Sequence, residues 1–210
     1  MKLVSLMSGG IDSPVATYLM LRAGAEVIVL NMDTRPLGGD DELIKVEELV
    51  KKLHSHFPGK VKLLRAPHGL LLGSFREHSN PKYTCILCKR SMLSLADRLC
   101  DRYGAGGIIM GDSLGQVASQ TLQNLAAVSA GIKHPIIRPL IGFDKLEIEK
   151  IGREIGTFEI SIKQTMGCQA APRFPIIKAE LERLNEEAKK GRLGEVLEEV
   201  LKKVEEVPIR

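Results

Sequence analysis

Apolar, β-branched runs recur along the chain as LVSLM, EVIVLNM, VKLLRAP and GGIIMGD. Each is apolar on consecutive positions rather than alternate ones. Helical patterns fall between them, at roughly residues 13–23, 40–55, 86–103 and 115–131. Continuous apolar strands alternating with helices predict an α/β fold with a parallel sheet covered on both faces. HPIIRPL reads as one more strand, and DKLEIEKIGREIG as a helix capped by Asp144 and closed by Gly156. After residue 157 the pattern changes, and TFEISIKQTMGCQAAPRFP reads as irregular chain. From Ile176 a long charged helix is expected to run toward the end, weakened at Gly191 and Gly194. Its apolar positions, Leu181, Leu184, Leu193, Val196, Leu197, Val200 and Leu201, largely follow helical spacing. That assigns the helix to packing or self-association and leaves a homodimer open.

The 210 residues are 44% hydrophobic and 27% charged, enough for a sizeable core in a soluble chain. A net charge of +4 permits a polyanionic partner without requiring one. Strand-like residues begin at once, with no targeting signal, and no apolar run reaches membrane-spanning length. A cytoplasmic protein without a membrane partner is expected. In that compartment the four cysteines, Cys85, Cys88, Cys100 and Cys168, do not read as structural disulfides.

The ligand of such a sheet belongs at the carboxyl ends of its strands. Three loops meet there: the Gly-Gly turn after the first strand, NMD after the second, and GDSLGQ after the strand near residue 110. In the first, Ser8-Gly9-Gly10-Ile11-Asp12-Ser13 leads straight into a helix. Glycines admit close approach, and the free N–H groups at a helix start attract an anion, with phosphate the obvious candidate. The turn fits neither the common P-loop nor the dinucleotide glycine motif.

Ser-Gly-Gly-x-Asp-Ser after an apolar strand resembles the PP-loop of the ATP pyrophosphatases. MSGGIDSPVATYLMLRAG, GDSLGQVASQTLQNL and IIRPLIGFDKLEIEKIGREIGT, in this order, are similar to the PP-loop domain of the tRNA 4-thiouridine synthetase (thiamine biosynthesis/tRNA sulfurtransferase) family. The likeness covers about the first 170 residues. With the alternating pattern, it implies an adenine nucleotide alpha hydrolase-like fold: a five-stranded parallel sheet of order 3-2-1-4-5 flanked by helices, with an extra short strand near Ile136. Residues 1–170 would form the PP-loop domain and 171–210 a C-terminal helical extension. Backbone N–H groups of Gly9, Gly10 and Ile11, with the hydroxyls of Ser8 and Ser13, would cradle pyrophosphate, and Asp12 would hold Mg²⁺ or orient the turn. The resemblance further implies ATP contacts at Leu6 and Met7, at Asn31 and Met32, and at Lys89, Gly111 and Gln120. Bacterial members carry ferredoxin-like and THUMP domains that hold tRNA, and some carry a rhodanese domain that delivers sulfur. This chain is expected to lack them and to use a separate RNA-binding protein or domain.

Cys85 and Cys88 form C-x-x-C in YTCILCKR, a spacing that fits metal, cluster or redox chemistry. Cys168, in TMGCQAAP, stands where the family has a cysteine implicated in sulfur transfer. C-x-x-C plus a distant cysteine resembles the cluster-dependent archaeal members, which implies a [4Fe–4S] cluster on Cys85, Cys88 and Cys168 with one iron open. Zinc is the main alternative, with His68 or His78 available as a fourth ligand. A redox pair and inert buried thiols stay open, and Cys100, well along its helix, reads as core. The implied reaction adenylates a uracil carbonyl oxygen, releases pyrophosphate, and lets sulfur from hydrosulfide or a persulfide carrier displace AMP. Asp12, Ser13 and Cys168 are the expected catalytic residues. The competing readings are a PP-loop enzyme that thiolates or amidates a small molecule, and a nucleotide- or cluster-binding subunit of a tRNA-modifying assembly.

Overall fold

The computed structural model describes residues 1–115 and 120–209. The apolar runs form β1 (Lys2–Met7), β2 (Glu26–Met32), β3 (Val61–Ala66), β4 (Ile108–Ile109) and β5 (Ile136–Ile137). They pair in parallel in the order 3-2-1-4-5, as expected, with the short strand at Ile136 forming the far edge. A sixth strand, β6 (Glu205–Val207), adds antiparallel to β3 and was not foreseen.

Alternation along each strand supplies both faces of the sheet. Leu3 and Met7 of β1, with Val27 and Val29 of β2, pack beneath α1 (Asp12–Arg22) and α2 (Asp40–His56). Val4, Leu6, Ile28 and Leu30 pack on the other face against α3 (Gly69–His78) and α4 (Thr84–Tyr103). Four of the remaining helices are α5 (Leu122–Ser129), α6 (Lys145–Glu154), α7 (Phe158–Ser161) and α8 (Leu181–Lys190), and α9 (Leu193–Lys202) follows. The helix expected over 115–131 begins at Leu122 behind the Thr121 cap, and residues 116–119 of that span lie outside the described residues. Asp144 and Glu147 close a full capping box at the start of α6, and Gly156 turns out of it at φ 70°. Residues 69–78 carried no sequence assignment; Gly69 and Gly73 dilute a helix that Leu71, Leu72 and Phe75 nevertheless bury.

The long C-terminal helix proves to be two helices and a strand. A Cβ on Gly191 would stand 2.6 Å from Phe75 Cδ1 and 2.5 Å from Ser79 Oγ, so only glycine brings the chain this close to α3. The Gly191 carbonyl accepts the Ser74 hydroxyl at 2.9 Å, and Arg192 then turns the chain at φ 52°. Gly194, the other expected weak point, is absorbed inside α9. Leu184, Leu197 and Val200 join the core under α3 and α4, as their spacing requires.

Glu187 of α8 locks this region to the rest. It is 1% exposed, takes the Asn80 N–H at 2.7 Å and pairs with Lys190 at 2.9 Å and Arg183 at 3.2 Å. Burial alone would raise its carboxyl; the Asn80 amide and the two cations more than offset that and hold it below its ordinary 4.5. A depressed folded value gives stability that is present above the unfolded value and lost as pH falls through the folded one. Wild-type stability in urea should therefore drop as pH is lowered below 4.5, and Glu187→Gln should flatten that drop while lowering stability at pH 7. An unchanged acid limb in the variant would remove Glu187 from this role.

Candidate functional site

The turn between β1 and α1 is held by hydroxyls from within. Ser13, in the first turn of α1, accepts the Ser8 N–H at 3.0 Å and donates to the Ser8 carbonyl at 3.1 Å. The Ser8 hydroxyl accepts the Gly10 N–H at 3.3 Å. The Gly9 N–H goes elsewhere, to Glu42 Oε1 of α2 at 2.8 Å. A turn whose amide already binds a carboxylate is chemically suited to an anion. A Cβ at Gly9 would fall 2.6 Å from that oxygen, so a larger residue there would push the Glu42 carboxylate aside.

Two clefts meet over this turn at Met7, Ser8 and Met92. One, of ≈ 190 Å³, runs over Leu6, Asp12, Ser13, Gly111 and Gln120. The other, of ≈ 220 Å³, reaches Asn31, Met32, His68, Cys88 and Cys168. A larger cleft of ≈ 390 Å³ beside α2 and residues 207–209 lies away from the glycine turn. Asn31, next to the last residue of β2, is in register with Met7 and donates to its carbonyl at 3.4 Å. Among the described residues its Oδ1 is buried with no partner, as is Oε1 of Gln120. Buried acceptors without donors are rare and suit a ligand with N–H groups, such as an adenine. The residues present therefore fit an anionic nucleotide.

Gly111 permits a close approach, but to backbone: a Cβ there would stand 2.9 Å from Ser13 N and Cα. Lys89 does not line either cleft. Its ammonium binds Asp112 at 2.7 Å, and the same buried carboxylate takes Arg138 Nε at 3.0 Å. Lys89 thus anchors the loop that carries Gly111. Asp12 pairs with Lys145 of α6 at 2.8 Å. Sequence reasoning singled out neither Lys145 nor Glu42 nor Asp112. Asp112 lay inside the quoted GDSLGQ and Lys145 inside the quoted DKLEIEKIGREIG; Glu42 carried no signal beyond its charge.

Cys88 and Cys168 line one wall of the larger of these two clefts, and Cys85 is close enough for the thiols to influence one another. Burial, with Cys168 and Cys85 adding, pushes the Cys88 thiol up to about 12, and burial also raises Cys85. His68 is fully buried with Nε2 3.3 Å from Cys88 Sγ and Nδ1 unpartnered, and burial drives it down to about 4. Among the described residues no group of three or more His, Cys, Asp or Glu side chains is arranged to hold a metal ion. The three thiols converge without forming a ligand set. Cys100 is core, 1% exposed. His78 faces solvent beside Glu77. No helix among the described residues is long and apolar enough to cross a membrane.

The family model described as thiamine biosynthesis protein (ThiI) matches residues 1–193. A probable tRNA sulfurtransferase of Methanothermobacter thermautotrophicus is 43% identical over 203 residues, 96% of this chain and 52% of that protein. One from Thermococcus kodakarensis is 45% identical over 185 residues, 86% of this chain and 48% of that protein. The chain spans about half the length of the curated relatives it matches. A crystal structure of a 4-thiouridine synthetase–RNA complex with bound ATP superposes with a TM-score of 0.92 at 34% identity, over 99% of this chain and 55% of that one. An NMN synthetase from Francisella tularensis shares the fold, with a TM-score of 0.59 at 15% identity over 89% of this chain and 83% of that one.

The Gly111 contact yields a direct expectation. Gly111→Ala forces the start of α1 to shift and should destabilise the chain by about 1–3 kcal/mol in chemical denaturation. Wild-type stability in that variant would mean the turn yields without strain.

Proposed function

The chain belongs to the ThiI family, and on that premise we propose that it works in ATP-dependent thiolation of tRNA uridine. The observation that carries the reading is the Gly9 amide. It lies in the turn after β1, binds an anionic oxygen, and sits beside the cleft that Cys88 and Cys168 line. The ATP and RNA held by the related 4-thiouridine synthetase support the same assignment here.

A uracil oxygen will not leave as oxide, so it must first become part of a better leaving group. It attacks the α-phosphorus of ATP, the α–β bridge breaks, and pyrophosphate departs. The N–H groups of Gly9, Gly10 and Ile11 and the hydroxyls of Ser8 and Ser13 take up the charge on that group. Leu6, Met7, Asn31, Met32 and Gln120 receive the rest of the nucleotide, with the open acceptors of Asn31 and Gln120 turned to N–H donors. Lys89 acts at one remove, through Asp112 and the Gly111 loop. Asp12 would hold Mg²⁺ with the nucleotide only by giving up Lys145, which then becomes a counter-charge for phosphate. A sulfur nucleophile attacks the activated carbon, the C–O bond breaks, and AMP leaves with the oxygen. Cys168, exposed on its segment, would take outer sulfur from a persulfide carrier with release of the carrier's thiol, and after that sulfur attacks the carbon a second thiol breaks the S–S bond, leaving a disulfide; hydrosulfide would attack directly without it.

A cluster, or zinc, on Cys85, Cys88 and Cys168 is the finer form of this reading. Cys88 and Cys168 on one cleft with Cys85 nearby support it, and the segment carrying Cys168 would have to close further to complete the set. No step above depends on it. The partners are tRNA, held through another domain or protein, and a hydrosulfide or persulfide donor. Residues 1–170 would be the catalytic unit and 171–210 its helical extension.

Radiolabelled ATP should give pyrophosphate release that needs unmodified tRNA, and Ser13→Ala should reduce it about 10²-fold. Release that ignores RNA would favour a small-molecule acceptor; none under anaerobic reconstitution would favour a binding subunit. Iron and sulfide analysis after anaerobic purification tests the cysteines separately. Cys85→Ala, Cys88→Ala and Cys168→Ala should each lose bound metal and Cys100→Ala should not. Full metal in Cys168→Ala would move the third ligand elsewhere.

A further inference from the structure

Glu42 touches two things that the reaction must keep in step. Its Oε1 takes the Gly9 N–H at 2.8 Å, and its Oε2 takes the Thr165 hydroxyl at 3.1 Å. Thr165 lies three residues before Cys168. The same short strap is pinned to the same end of α2 by its backbone: Met166 N–H to Asp41 Oδ2 and Gln169 N–H to the Leu37 carbonyl, both at 2.7 Å. A second link, from Ser161 to the Gly10 carbonyl at 3.3 Å, holds the stem of the strap to the turn. Lys45, one helical turn beyond Glu42, lays its Cδ 2.8 Å from the position of a Cβ on Gly9. It is 7% exposed, and among the described residues no carboxylate pairs with it.

We infer that Glu42 is a positioning residue that couples filling of the phosphate turn to release of the Cys168 strap. The inference rests on the turn being a pyrophosphate site. Gly9 has one N–H, and a carboxylate and a phosphate oxygen cannot both sit on it in a half-buried cleft without like-charge repulsion. The arriving phosphate therefore displaces Glu42. The unpaired Lys45 ammonium gives a counter-charge beside the turn, so the exchange leaves no uncompensated anions there. Thr165 loses its acceptor or follows it, and Cys168 is freed to approach the nucleotide only once that nucleotide is bound. Sulfur is thereby withheld from an empty site. Nothing in the proposal needs Glu42 to touch the reacting atoms.

Hydrogen exchange read by mass spectrometry on the peptide spanning residues 163–171 reports the strap through the Met166 and Gln169 amides. Mg²⁺-pyrophosphate, with its binding measured in parallel by calorimetry, is the probe. In the wild-type protein it should speed strap exchange by about threefold or more, the mark of a local opening. Glu42→Ala and Thr165→Val should exchange fast without pyrophosphate and respond little to it. Glu42→Gln, which can keep an oxygen on the Gly9 amide, should restore slow exchange in the empty protein. A purely structural role for Glu42 would change the rates but not their response to pyrophosphate. If pyrophosphate binds and the wild-type strap does not respond, or the variants respond as the wild type does, the coupling is wrong and the site assignment stands. If pyrophosphate does not bind at all, the site assignment falls and the coupling with it.

Discussion

A parallel strand cannot be joined to its neighbour by a tight turn, so each must be followed by a crossover that returns the chain to the same starting edge. Everything functional here follows from that constraint. Five strands run one way, and the loops that leave β1, β2 and β4 gather along one rim. The topology reverses between β1 and β4, where the sheet grows outward in both directions and a crevice must open. Ser8–Ser13 and Gly111–Asp112 face each other across it. Gly111 sets how near they come, because its missing side chain lets the end of β4 rest on the backbone of Ser13.

Carboxylates hold this rim in shape. Asp112 gathers Lys89 and Arg138, Asp12 holds Lys145, and Glu42 spans Gly9 and Thr165. Each joins segments far apart in sequence. The Asp112 group is nearly dry, and removal of its one carboxylate would leave two buried cations uncompensated. The Asp12 and Glu42 contacts are half-exposed and more easily exchanged. The rim thus has a fixed side under the GDSLGQ loop and an exchangeable side under the glycine turn.

The sheet order and both faces were legible because continuous apolar runs admit few arrangements once crossovers are right-handed and short. The turn was legible because two glycines between hydroxyls at a strand end serve little else. What escaped was settled by approach distances rather than by pattern. Gly191 and Gly194 were visible as weak points between residues 176 and 204, but only Phe75, more than a hundred residues earlier, decides that Gly191 is where the chain bends. The three-residue β6 is too short and too charged to read as a strand; its place is granted by the free edge of β3. The family resemblance gave Lys89 to the nucleotide, and in the fold its ammonium meets Asp112, distant in sequence. The cysteines illustrate the same limit: their types and spacing pointed to shared chemistry, and only the fold could say that Cys88 and Cys168 line one cleft with Cys85 nearby, without closing into a ligand set among the described residues.

β6 also bears on the chain during synthesis. Its residues pair with β3 only after the whole of the intervening chain has been made, and until then the outer edge of β3 presents open N–H and C=O groups. A nascent chain in that condition is a template for strand addition by a neighbour. Lys62 and Arg65 on β3 meet Glu206 and Glu47 in the finished fold. Glu47 is made before β3, so Arg65 has its partner from the start; Lys62 lacks Glu206 until the end, and its positive charge on the exposed strand repels an identical one, so the edge carries its own guard on the ribosome.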